Sequence, residues 1–165
     1  MAIIKAFKAL RPKDKLAHKV CALPYDVMNS EEAKILARYN PYSFLHIDKP
    51  EIDLDEDVYE YDEKVYLKAK ENLDKFREND ILIKDEKESI YIYKQVMDGR
   101  AQVGIVACVS VDDSLNGIIK KHEYTKPDKE KDRTNHIRYC NANTGTILIT
   151  YKCKQNINEL INKHI

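Results

Sequence analysis

The stretch from Lys120 to Arg133 reads KKHEYTKPDKEKDR and gathers side chains that acid–base and phosphate chemistry use. Glu123 and His122 are the candidate acid and base, since a positioned carboxylate or imidazole can take a proton from a reacting hydroxyl. Lys126, Lys129 and Arg133 offer charge-assisted hydrogen bonds to a phosphate, and Thr125 adds a hydroxyl. Proline suits a first helical turn, so the pattern predicts a helix from near Pro127 to about Cys140 or Asn141. The free N–H groups and dipole of that helix start favour an anion. Helical spacing puts Lys129, Arg133, His136 and Cys140 on one face, with Ile137, Tyr139 and Cys140 as the only core anchors. The same residues also fit a solvated helix start with surface pairs, Asp128 with Lys131 and Asp132 with His136. On the residues alone both readings stand.

Two further places carry candidate groups. In LPYDVMNSEEA, Asp26 sits at a tight passage into a helix, where it can contact a ligand or cap local N–H groups. In YNPYSFLHI, His46 ends an apolar run and reads as a packed or edge histidine. The acidic run DKPEIDLDEDVYEYDEK reads as a solvated connection. It lacks the spacing of a calcium loop, and no metal site is expected. Phosphate-loop and dinucleotide glycine patterns are absent, as are the nucleophile-elbow and zinc-protease motifs.

The elements that would position these residues alternate between strand and helix. Residues 4–10 read as a short strand, and HKVCALPYDV and YSFLHI as further extended segments. NSEEAKILARYN reads as a helix capped by Asn29 or Ser30 and stopped by Pro41. A second helix is expected from about Asp57 to Asn79 on the apolar stripe Val58, Tyr61, Val65, Leu73 and Phe76. Two β-rich runs flank Asp98-Gly99, a dipeptide suited to a tight hairpin turn. The second, VGIVACV, reads as a central strand covered on both faces. GIIKKHEYT and TGTILITY are further expected strands, and NINELINKHI a final amphipathic helix. On a strand from Gly117 to Thr125, Lys120 and His122 share one face and Glu123 and Thr125 the other. The predicted class is α/β (mixed α+β): one domain over residues 1–165, with a mixed sheet and a central hairpin flanked by helices.

Composition narrows the function classes. The 165 residues carry 28 basic and 28 acidic side chains, and this even balance argues against nucleic-acid binding. No apolar run is long enough for a membrane span, and the start does not read as a signal peptide. The length favours one domain, with room for two small lobes sharing a core. Four scattered cysteines fit reduced thiols and a cytoplasmic location.

Several segments in order, FKALRP, LPYDV, SEEAKILARYNPYSFLHIDKPE, IYIYKQ, GIVACVSVDD and GIIKKHEYTKPDKEKDR, resemble the domain-of-unknown-function family 1015. The resemblance runs from Ile4 to Tyr151. It implies a cytosolic bacterial or archaeal protein, usually longer, often encoded beside serine-biosynthesis genes. Family members carry a downstream "ADGHHR"-type segment similar to the nucleotide-contacting motif of the ParB/sulfiredoxin-like fold, which also serves free-serine kinases. By that analogy the resemblance implies a phosphotransferase using ATP or ADP with Mg²⁺ on serine or a similar small hydroxy compound. The alternative is a non-catalytic module binding a small molecule or nucleotide. The matching positions are His122, Glu123, Thr125, Asp128, Lys129, Glu130, Asp132 and Arg133. No "DGHHR" segment occurs here, so the expectation is either a missing C-terminal half or a naturally short form, with a homodimer as a further option.

Overall fold

The computed structural model describes residues 2–165. In chain order the elements are β1 (Ile4–Lys5), β2 (Leu10–Pro12), α1 (Ala17–Val20), α2 (Ser30–Ala37), α3 (Leu45–Asp48), α4 (Glu63–Glu78), β3 (Leu82–Lys84), β4 (Tyr91–Met97), β5 (Arg100–Val106), β6 (Cys108–Val109), α5 (Val111–Leu115), α6 (Pro127–Cys140) and α7 (Gln155–Asn162). The class is mixed α/β. The strands form three separate two-stranded antiparallel ladders, β1–β6, β2–β3 and β4–β5, rather than the one mixed sheet the pattern predicts.

The chain divides into two compact units. One comprises Leu10–Lys84 and Glu123–Thr146. Its helices start where the sequence supplies caps. Asn29 accepts from the Glu32 N–H at 2.9 Å, and Glu32 accepts in return from the Asn29 N–H at 2.9 Å. This reciprocal box satisfies two donors that a bare helix end leaves unpaired. Asp62 caps α4 by accepting from the Lys64 N–H at 2.9 Å. Helix α4 then buries Val65, Tyr66, Ala69, Leu73 and Phe76, a stripe at helical spacing. Val20, Ile47, Ala69, Leu73, Phe76, Ile81, Leu82 and Cys140 form the core, so α1, α3, α4, α6 and β3 meet there. Helix α6 opens with Pro127 and closes at Asn141, whose φ of 48° is the left-handed conformation asparagine tolerates.

The other unit comprises residues 2–9, Asp85–His122 and Ile147–Ile165. Its main element is the β4–β5 hairpin, in register from Tyr91↔Val106 to Met97↔Arg100. Asp98 (φ 50°) and Gly99 (φ 76°) form its turn, as the dipeptide predicts. Tyr91 packs edge-on against Phe7 and donates to Asp85 at 2.6 Å. Asp113 of α5 is buried and accepts from the Ile3 N–H at 2.6 Å.

Several expectations fail for physical reasons. YSFLHI is helical at α3, because Leu45 and Ile47 bury their side chains in two neighbouring apolar clusters. The start of HKVCALPYDV lies in α1 (Ala17–Val20) for the same reason, with Val20 in the core. The second long helix begins at Glu63, where Asp62 caps it, and not at Asp57. GIIKKHEYT is not a strand: Gly117 turns the chain at φ 71°, and no described strand pairs with it. TGTILITY is likewise unpaired. Strand β5 belongs to a two-stranded hairpin whose first four residues are exposed, so it is not covered on both faces.

Candidate functional site

Helix α6 separates two kinds of polar residue. From Lys126 to Lys131 every side chain is exposed. Further along, Asp132, His136 and Cys140 recur at helical spacing and are buried. This inward stripe is polar, so each member needs a partner.

Each partner is present in the same unit. Asp132 accepts from the Tyr66 hydroxyl at 3.1 Å and from Arg133 Nε at 2.9 Å. Burial first, then the Asp132 charge, raises the Tyr66 pKa, so this phenol stays a donor. The Arg133 guanidinium also lies over the Tyr25 ring, 4.2 Å from its centroid. Its two terminal nitrogens have no hydrogen-bond or ion-pair partner among the described residues. Arg133 is thus oriented through one nitrogen and one face, with the rest of its fork free.

His136 is 1% exposed and donates through Nε2 to the Ile47 carbonyl at 2.8 Å. Its Nδ1 faces the Cys140 thiol at 3.9 Å. The ring is therefore the neutral tautomer, and burial lowers its pKa. Burial also pushes the Cys140 thiol up to about 11, which makes it an inert core group.

The His136–Ile47 contact brings the end of α3 against α6. Asp48 is the next residue, and its Oδ1 is fully enclosed with no hydrogen-bond partner. Burial raises its carboxyl to about 6, with the Thr144 hydroxyl and the Arg133 charge pulling it partly back. A half-buried, incompletely paired carboxylate whose pKa is raised to about 6 marks a candidate site.

A second polar cluster surrounds His46. Its Nδ1 lies 2.9 and 3.0 Å from the two Asp53 oxygens, and its Nε2 lies 3.2 Å from the Asn40 carbonyl. Both nitrogens face acceptors, an arrangement that favours the doubly protonated ring. The Asp53 hydrogen bond is the largest cause of its raised pKa. Asn72 locks the cluster, donating to the His46 carbonyl at 2.6 Å and to Asp53 at 2.8 Å. These bonds fit a structural clamp.

The sequence-derived candidates fall apart into separate groups. Arg133 is in the buried cluster. Lys129 reaches outward to the Tyr61 hydroxyl and lies 5.1 Å from that ring's centroid. Thr125 donates to Glu130 at 3.4 Å. Glu123 and Lys126 are exposed, and His122 is exposed at the end of the other unit. Asp26 is exposed in the turn Tyr25–Val27, where its neighbour Tyr25 is the residue that meets Arg133. Ile137 is 43% exposed and is no core anchor. Asp132 pairs with Arg133 rather than His136.

Asp48 and Tyr25 were not singled out by sequence. Asp48 opens the acidic run that reads as a solvated connection, and only its place after the buried Ile47 hints otherwise. That run is in fact largely engaged: Asp53 holds His46, Glu51 accepts from Ser30 at 2.7 Å, and Asp62 caps α4. No group of three His, Cys, Asp or Glu residues among the described ones is placed to hold a metal ion. No described helix is long and apolar enough to cross a membrane.

Comparison with curated proteins and with solved structures gives no match. A family model described as "Protein of unknown function (DUF1015)" matches residues 4–165. The chain therefore belongs to the DUF1015 family.

Proposed function

We propose that this chain carries the acceptor side of a nucleotide-dependent phosphotransferase that acts on serine or a similar small hydroxy compound. The observation that supports this most is Arg133. Its guanidinium is half-buried, held by Asp132 and Tyr25, and keeps two nitrogens without a partner among the described residues. A free fork of that geometry suits a carboxylate or phosphate oxygen pair. Phosphoryl transfer asks a protein mainly to position groups and stabilise charge, and a fixed guanidinium does both. Free thiols at Cys21, Cys108, Cys140 and Cys153 fit a reducing cytoplasmic setting.

The donor, ATP or ADP with Mg²⁺, comes from the family resemblance alone. Neither a three-ligand metal group among the described residues nor a glycine-rich phosphate loop in the sequence supplies a place for it. These residues therefore do not fit the group, and no step here runs through it. That same misfit favours a second reading, a module that binds a small anionic compound without turnover.

One panel separates the two. The chain is incubated with L-serine, O-phospho-L-serine, inorganic phosphate, and ATP or ADP with Mg²⁺. Thermal shift and phosphate transfer are both read. Transfer to a hydroxy compound, lost in Arg133→Ala, supports the phosphotransferase. A shift with serine or phosphoserine but no transfer supports the binding module. Absence of both removes both.

A further inference from the structure

We propose that residues 147–152 of one chain add as a third strand to the open edge of β4 in a second copy of this chain, and that the exchange is mutual. This surface stands apart from Arg133 and does not rest on the phosphotransferase reading.

The unit that holds β4 and β5 is short of partners. Every buried apolar side chain among the described residues lies in the other unit. Ile92, Tyr93, Val96 and Met97 of β4 are 38–76% exposed. Among the described residues β4 pairs with β5 alone. A hairpin of two strands is marginal in water, and a third strand is a common remedy. Met97 and Arg100 pair across the two-residue turn. The alternation of an antiparallel ladder then turns the N–H and C=O groups of Ile92, Lys94 and Val96 away from β5. Such an outward row is a template for another strand, and Lys94 is the one charged side chain along β4.

The segment Ile147 to Lys152, ILITYK, supplies the complementary half. Its β-branched and aromatic residues suit a strand. Ile147 and Leu148 are 76% and 85% exposed. No backbone group of residues 147–152 is hydrogen-bonded among the described residues.

Charge selects the edge and the direction. Lys152 and Lys154 end this run, exposed and without an ion pair among the described residues. Glu86 and Glu88 stand just before β4 in the same condition, with Lys87 between them. Asp85 beside them is already engaged by Tyr91. Antiparallel pairing with β4 brings the two lysines to the two glutamates. Parallel pairing with β4 would carry them to the turn, where Asp98 and Arg100 offset each other. On β5, antiparallel pairing would oppose them to Arg100, and parallel pairing would leave them at its uncharged end. Opposite charges across a strand pair stabilise it, and like charges destabilise it.

The second copy follows from each chain carrying both halves. A two-fold exchange pairs both edges and closes, whereas a one-sided contact leaves one edge and one strand unpaired. The formal net charge of zero sets no long-range repulsion between copies.

The test is sedimentation equilibrium of the chain from about 1 to 100 μM, with hydrogen exchange read at the amides of residues 147–152. A dimer with those amides protected is expected. Leu148→Pro with Ile149→Pro is expected to weaken it at least about tenfold, since one of two adjacent N–H groups must face the partner edge. Both residues are unpaired within the chain, so its melting temperature as a monomer should hold. Lys152→Glu with Lys154→Glu is expected to weaken the dimer by about tenfold, and adding Glu86→Lys and Glu88→Lys to restore it within about threefold. A monomer with protected amides overturns the proposal in favour of pairing within one chain. A monomer with open amides overturns it and leaves the edge to a strand of a different protein. An assembly larger than two, a dimer indifferent to the prolines or to the lysine reversals, or one that the glutamate reversals do not restore also overturns it.

Discussion

Helix α6 holds two sets of charged residues that meet opposite surroundings. From Lys126 to Lys131 the side chains are exposed. From Asp132 to Cys140 the inward stripe is buried, and each polar member has a named partner. The first set dominates the sequence by charge density. The second set is where burial changes chemistry, because low dielectric strengthens each interaction and penalises each unpaired charge. Density of charge marks where water is, and perturbed charge marks where a site can be.

The largest expected effect comes from the buried stripe. His136→Leu removes the donor to the Ile47 carbonyl and leaves it unsatisfied inside the core. A loss of about 2–4 kcal/mol is expected, measured by urea unfolding at pH 7.5. A loss below about 0.5 kcal/mol would show that the α3–α6 contact does not organise this region.

Asp48→Asn should act in the opposite direction. The native carboxyl titrates near 6, above its ordinary value of 3.8. The folded chain therefore binds this proton more tightly than the unfolded chain. Stability from this group is fully present below the ordinary carboxylate value and is lost as pH rises through about 6. The asparagine variant should thus be more stable at pH 7.5 by up to about 3 kcal/mol, the gain fading by about pH 4.

His46 provides a smaller effect in a separate window. Its native pKa lies above 6.5. Its contribution is present below 6.5 and is lost as pH rises through the native value. Partial exposure of both side chains screens the Asp53 pair, so the change should stay under about 1 kcal/mol. Thermal melts from pH 6 to 8.5 should slope downward in the parent and flatten in His46→Gln. Equal slopes would remove the imidazolium assignment.

The smallest effects belong to the exposed set. Lys126→Ala and Glu123→Gln should each shift unfolding by less than about 0.5 kcal/mol. A larger shift in either would erase the contrast between the two parts of the helix.

How far the sequence revealed this arrangement depends on which forces were local. The Asn29–Glu32 box, the Asp98-Gly99 turn and the α6 bounds follow from short-range rules, and all three are in place. The face Lys129, Arg133, His136 and Cys140 was legible only in part from helical period: His136 and Cys140 turn inward together, but Asp132 completes that stripe and Lys129 is exposed. Strand readings of residues 117–125 and 144–151 failed because a strand exists only with a partner, and pairing is not local. YSFLHI failed because its apolar residues suit helix or strand until tertiary packing decides. Asp48 was hidden for a related reason. It begins an acidic run, and composition cannot tell which carboxylate of such a run lies under a neighbouring helix. Tyr25 was overlooked beside Asp26 because a ring beneath a guanidinium leaves no motif.

Asp48 is a half-buried carboxylate held up to about 6 beside the Arg133 charge. Carbon-13 NMR of the side-chain carboxyl groups, with Asp48→Asn as the assignment control, tests it across pH 3 to 8. A midpoint near 6 for Asp48, moving higher in Arg133→Ala as the cation is removed, is the predicted result. A midpoint near the ordinary 3.8, unmoved by that substitution, would contradict it.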